Sequence, residues 1–160
     1  MPDGTANDGG TRAASLFALM NEVAIIEQLA RTILESRLPD GASQPHFAVL
    51  NHLVRVADGR TPMELARAFQ VPKTSMTNTL AGLEKRGLVE MRPNPDDGRS
   101  KRVWITDGGR EFRDDAIAAL APDLAAMDEA LDGERLAALV PELARIRAWL
   151  DERRGQGGRS

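Results

Sequence analysis

Between Lys73 and Arg102 the chain collects hydrogen-bonding side chains and cations in a pattern suited to recognition rather than catalysis. Lys73, Thr74, Ser75, Thr77 and Asn78 crowd the start of a segment whose apolar residues, Met76, Leu80 and Leu83, recur at four- and three-residue spacing. Short hydroxyl and amide side chains lower helix propensity, yet they are the groups that reach base edges and phosphates in a major groove. On an isolated helix the same residues would read as a solvated face; the neighbouring segments shift the balance. From Lys73 to Arg102 seven basic residues stand against four acidic ones, a local charge of +3 in a chain whose net charge is −3. A nucleic-acid partner needs one positive face and not a basic whole.

The segments around this region supply the elements that would position it. Thr61-Pro62-Met63-Glu64 is a helix start, with threonine as cap, proline in the first turn and glutamate able to close a capping box. A short helix with Leu65, Ala66 and Phe69 on its buried side leads into the polar helix, which runs from about Pro72 to Arg86 and stops at Gly87. Leu88 to Arg92 and Lys101 to Thr106 read as strands, with Val89, Met91, Val103 and Ile105 on one face. The turn-rich Pro93–Ser100 stretch between them makes a hairpin. The expected fold is mainly α with a small β-hairpin wing: a winged helix-turn-helix over residues 43–106, flanked by helical dimerisation regions at 11–38 and 107–154. Residues 1–10 and 155–160 are expected to be disordered.

The flanks carry wide apolar stripes. Leu16, Leu19, Met20, Val23, Ile26 and Ile33 mark the first, broadened by Phe17 and Ile25, and such a stripe faces other helices. Phe47, Leu50, Leu53 and Val54 form the expected core face of a second helix capped by Ser43. After Thr106, a further cap, the pattern continues through Phe112, Ile117, Leu120, Leu124 and Met127, and then from Leu136 to Leu150. Pro122 and Pro141 fall inside it, so breaks or kinks are expected there.

Composition closes off several function classes. There is no cysteine, hence no disulfide, thiolate nucleophile or Cys-based zinc site. His46 and His52, six residues apart, lie about 120° from one another on a helix and make no metal pair. Asp107, Glu111, Asp114, Asp115 and Asp123 have no nucleophile, oxyanion donor or phosphate loop beside them and read as a solvated face. No enzyme activity, cofactor or metal is expected. The N-terminus lacks a signal pattern, and no unbroken apolar run suggests a membrane span; a cytoplasmic, nucleoid-associated protein is expected.

The ordered set LEKRGLVEMRPNPDDGRSKRVWITDGG, Leu83 to Gly109, resembles the MarR family of bacterial transcription regulators. By motif the resemblance spans Pro45 to Thr106, and by order of helices the whole chain. It implies a homodimer that binds double-stranded DNA at a pseudo-palindromic operator, a repressor released by a small anionic or aromatic effector. The alternative is a winged-helix protein–protein interaction module without an operator. The DNA-binding residues are then Lys73, Thr74, Ser75, Thr77, Asn78, Arg92, Asp97, Arg99 and Lys101. Arg99 is implied to reach a minor groove, with Asp97 holding its guanidinium by a salt bridge. Met20, His46, His52 and Trp104 are the candidates for lining an effector pocket, although packing is the commoner role for the histidines and the tryptophan. The chain departs from the family pattern at three places: Asn78 where arginine is frequent, Pro72 where a capping serine is usual, and Gly98 where a basic residue is common.

Overall fold

The computed structural model describes residues 6–39 and 41–157. Among these the order is α1 (Ala6–Arg37), α2 (Gln44–Arg55), α3 (Pro62–Phe69), α4 (Lys73–Lys85), β1 (Val89–Pro93), β2 (Lys101–Ile105), α5 (Asp107–Ala119), α6 (Ala121–Leu131) and α7 (Gly133–Gly157). The chain divides after Ala119 into two compact units, the first holding α1 to α5 and the second α6 and α7.

In the first unit α2, α3, α4 and the hairpin share one apolar core. Leu50, Leu65, Leu80, Leu83 and Val103 are fully buried in it, and Val49, Leu53, Ala66, Met76, Leu88, Val89 and Ile105 complete it. Phe69, Met91 and Phe112 pack around the edge. Burying each leucine contributes on the order of 1.5–3 kcal/mol. Met76, Leu80 and Leu83 are the three buried residues of α4, which makes its inward face a narrow stripe and leaves most of the helix outside. In α2 the inward face differs from the expected one: Val49 is buried, whereas Val54 is 36% exposed. The two valines are five residues apart, about 140° around the helix, and α2 rests on its Val49 side.

Thr61 opens α3 with a complete capping box. The Glu64 amide donates to Thr61 Oγ1 at 3.2 Å, and the Thr61 amide donates to Glu64 Oε2 at 2.8 Å. The Thr61 amide and, at 2.9 Å, the Thr61 hydroxyl both donate to Glu64 Oε2 and, with Arg60 nearby, hold the Glu64 carboxyl below the usual glutamate range. The helix ends at Gln70, a non-glycine residue in the left-handed region (φ 54°), which turns the chain sharply into α4. At the other end of α4, Gly87 takes φ +70° and its successor Leu88 enters the sheet layer.

The strands pair antiparallel with Val89 opposite Ile105 and Met91 opposite Val103, the face foreseen as buried. A third segment joins them, as the Val103 amide donates to Arg60 O at 2.8 Å. Thr106 caps α5 as expected, accepting from the Gly109 amide at 3.0 Å while its own hydroxyl donates to Gly87 O. Gly109 is required here: a Cβ would stand 2.1 Å from Leu88 O.

α1 begins at Ala6, so residues 6–10 are helical and not the disordered segment expected; residues 1–5 lie outside the described residues. Its Leu34 is buried, and it meets α2 and α5. The rest of its stripe is bare, with Leu16, Phe17, Ile26 and Leu29 all 58–75% exposed. Within Gly9–Arg37 an 18-residue window reaches a mean hydropathy of 1.3, long and apolar enough to cross a bilayer by composition. Averaging raises a signal that Glu22 and Glu27 hide from a search for unbroken apolar runs.

In the second unit α6 packs on α7. The break expected at Pro122 is present, with the proline in the first turn of α6. The break expected at Pro141 is absent, since α7 runs through it and on to Gly157. A proline removes one hydrogen bond, and the turns on either side of it supply the continuity. The expected disordered tail is therefore helical over residues 155–157, and 158–160 lie outside the described residues. Leu124, Met127, Leu131, Leu139, Val140, Leu143 and Trp149 remain exposed.

Replacing Thr61 with alanine should cost about 1 kcal/mol through the lost cap. A urea titration would show this as a lower midpoint at unchanged slope, and an unchanged midpoint would remove the capping box from the account.

Candidate nucleic-acid interface

α4 presents Lys73, Thr74, Ser75, Thr77 and Asn78 to solvent, as its apolar spacing required. Two threonines face back onto the helix, Thr77 Oγ1 donating to Lys73 O at 2.8 Å and Thr79 Oγ1 to Ser75 O at 3.1 Å. Each hydroxyl keeps its lone pairs free as acceptors. Pro72 occupies the N-cap in extended conformation and supplies no side-chain acceptor. The first amides of α4 are thus uncovered by any cap, at the positive end of the helix dipole.

The wing tip differs from its expected wiring. Asp97 Oδ1 accepts the backbone amide of Arg99 at 3.0 Å and does not hold its guanidinium. A carboxylate two residues before an amide closes a tight local turn, and that bond wins over a long flexible side chain. Arg99 is left exposed, with no ion pair among the described residues. The guanidinium that the loop does hold belongs to Arg102. It donates from Nε to Asn94 Oδ1 at 2.8 Å, from one terminal nitrogen to Asp96 Oδ2 at 2.5 Å and from the other to Gly59 O at 3.3 Å. Asn94, 8% exposed, is the loop's hub and also donates to Ser100 Oγ at 2.8 Å. Lys101 is exposed next to this network. Arg92 is less free: it pairs with Glu90 and lies 5.4 Å from the Trp104 ring.

The four residues expected to line an effector pocket have separate surroundings. Met20 is 43% exposed on α1. His46 is drawn into local structure, its Nδ1 accepting from the Ser43 amide at 3.2 Å and lying 3.0 Å from Ser43 Oγ. Histidine here plays the part of glutamate or glutamine in a capping box. Its other ring edge faces α4 so closely that a Cβ on Gly82 would come within 2.5 Å of Nε2. His52 stacks at a tilt on Phe69, 5.3 Å between centroids. Trp104 covers Gly59, where a Cβ would come within 2.6 Å of the indole. A cavity of about 320 Å³ exists elsewhere, between Arg31 of α1, Pro45 and Ala48 of α2, Phe69, and Ser75 and Thr79 of α4.

Sequence reasoning missed Asn94, Asp96 and Arg102 as a unit. Alternation could have flagged Arg102, which must face away from buried Val103, but nothing local points from it to Gly59, 43 residues away.

These elements define a winged helix-turn-helix protein. Residues 40–100 match the sequence model of the MarR family. Wild-type apo MarR from E. coli shares 28% identity over 80% of this chain and 96% of its own, with a TM-score of 0.68. A cysteine-to-serine mutant of that protein complexed with operator DNA gives 27%, 82%, 95% and 0.66. The transcriptional regulator BldR from Sulfolobus solfataricus gives 26%, 82%, 96% and 0.67. Over residues 40–100 the chain thus matches the MarR family, and its fold is similar to that of these transcription regulators.

Burial, and then the charge of Arg86, lowers the pKa of His46; burial, and then Arg60, lowers that of His52. A depressed histidine stabilises the fold above its unfolded value, about 6.5, and the contribution is lost as pH falls from there through the folded value. The denaturation midpoint should therefore drop between about pH 7.5 and 5.5. His46→Gln keeps a capping acceptor without titrating and should show a smaller drop; an equal drop would exclude His46 as a source.

Proposed function

We propose that the protein is a homodimeric, sequence-specific DNA-binding transcription regulator, a repressor released by a small-molecule effector. One observation carries the reading. The polar face of α4, with its uncapped N-terminal amides, is displayed beside a wing whose Arg99 is unengaged. Lys73, Thr74, Ser75, Thr77 and Asn78 would enter the major groove, where Asn78 can bond an adenine with both ends of its amide. Arg99, with Lys101 beside it, would reach the flanking minor groove. Asp97 acts by shaping the turn that displays Arg99, and Arg92 contributes through the Trp104 side of the wing.

Pairing with a second copy supports the apolar faces. The exposed stripe of α1, and separately those of α6 and α7, are too large to remain in water on a stable monomer. Two copies would present two α4 helices to successive major grooves of a pseudo-palindromic site. A membrane would also cover α1, but its buried Leu34 and its packing on α2 and α5 tie it to the winged helix. Effector release draws support from the cavity under α4, whose volume suits a small aromatic molecule and whose rim holds Arg31, itself paired with Glu27. Such a ligand would act by binding the form with the wrong α4 spacing more tightly than the competent form. The proposed location is the cytoplasm, at the nucleoid.

Binding to DNA from around the protein's own gene should weaken steeply between about 50 and 200 mM salt. Arg99→Ala should weaken it further and flatten the salt slope by about 1, while light scattering still reports a dimer. Salt-independent or absent binding would end the DNA reading; a monomer would end the paired one.

A further inference from the structure

We propose that Arg102 is the positioning residue of the wing: it contacts no DNA itself but fixes the loop that presents Arg99. The inference rests on the DNA-binding reading above. It comes from the geometry of one guanidinium. Arg102 faces out of β2 beside buried Val103, with its side chain only one-third exposed. Each of its three nitrogens has a different acceptor: Asn94 at the start of the loop, Asp96 within it, and the Gly59 carbonyl in the turn between α2 and α3. The first two fasten the loop to its own strand, and the third fastens it to the helix-turn-helix body. A planar fork with donors at fixed angles can join three such points, whereas a lysine ammonium on a flexible stem cannot span them together.

From this anchor the order passes to Arg99 through a short chain of bonds. Asn94 Oδ1 accepts from Arg102 and from the Asp96 amide at 3.1 Å, and its Nδ2 donates to Ser100 Oγ. The Asn94 amide donates to Ser100 O at 3.1 Å, which closes the loop at its neck. Ser100 then donates to Asp97 O from both its amide, at 2.9 Å, and its hydroxyl, at 3.2 Å. Asp97 in turn holds the Arg99 amide. Asn94, Ser100 and Asp97 thus link the Arg99 backbone to Arg102. Three of the five N–H donors of Arg102 are already committed within the protein, which holds its guanidinium to the loop and the turn. Arg99 is therefore presented, and Arg102 does the presenting.

The test is a double-mutant cycle on the full chain with a fragment that the wild type binds, read at two salt concentrations, alongside backbone amide relaxation of the free protein. Arg99→Ala should cost about tenfold in affinity and about 1 in salt slope. Arg102→Met should cost about the same in both, and the double mutant should be no worse than either single variant. Arg102→Lys should not restore affinity. In the free protein, Arg102→Met should drop order parameters over residues 94–100 to below about 0.6, with α2 to α4 unchanged. Losses that multiply in the double mutant, an affinity unaffected by Arg102→Met, or a wing as rigid as before would each overturn the assignment. If the wild type binds no DNA, the functional reading falls, and the relaxation measurement still decides whether Arg102 holds the wing. Should Arg102→Met not fold, Asp96→Ala removes one anchor from an exposed side chain and enters the same cycle with a smaller loss.

Discussion

Asp58 is the carboxylate on which the winged helix is hung. One of its oxygens accepts the amides of Gly59 and Ile105, both at 3.0 Å, and the other meets Arg110 of α5 at 3.2 Å. Two stretches distant in sequence thereby converge on one side chain: the turn after α2, and the end of β2 with the first turns of α5. Charged acceptors give the stronger class of hydrogen bond, and the Ile105 amide at the strand end would otherwise lack a partner. Next to it, Arg60 lends its carbonyl to Val103, so the turn acts as a third strand for the hairpin. The wing can be rigid at its base because this corner is closed before the loop begins.

The same corner explains which side chains may be crowded against it. Trp104 lies flat over Gly59, and Arg102 reaches the Gly59 carbonyl from the other end of the same residue. Gly59 takes φ +69°, a region where most side chains are strained. A larger residue would meet both the backbone penalty and the indole. On the opposite flank, Arg113 of α5 places two nitrogens on Asn51 Oδ1, at 3.2 and 3.1 Å, so α5 is tied to α2 as well. The first unit is held by a few polar locks laid over a continuous apolar core.

What could be read in the chain follows from the range of each interaction. Met76, Leu80 and Leu83 declared their burial because a helix repeats every 3.6 residues, and Val89, Met91, Val103 and Ile105 did so because a strand repeats every two. The Thr61 box and the Thr106 cap are contacts over three residues, and both were legible. The wing wiring was not. Seven basic and four acidic residues within thirty positions permit many pairings, and the family resemblance pointed to Asp97 with Arg99. Folding selects Arg102 instead, because the turn after α2 brings the Gly59 carbonyl to it from far away. The local partners of the histidines and the tryptophan were equally hidden: His46 bonds Ser43, His52 stacks on Phe69 and Trp104 covers Gly59. The phase of α2 also escaped, since Val49 and Val54 are both apolar and only packing distinguishes them.

The division of labour within α4 has an evolutionary consequence. Its place in the fold is held by Met76, Leu80, Leu83 and the close seat of Gly82 on the His46 imidazole, while Ser75, Thr77 and Asn78 bear no part of the core. Substitutions at exposed positions of this kind change stability by only about 0.5 kcal/mol either way. Drift at these three positions is therefore nearly free of folding cost. If these positions read DNA as proposed, a duplicated copy of the gene could acquire a new preferred sequence one residue at a time, without ever passing through an unfolded ancestor.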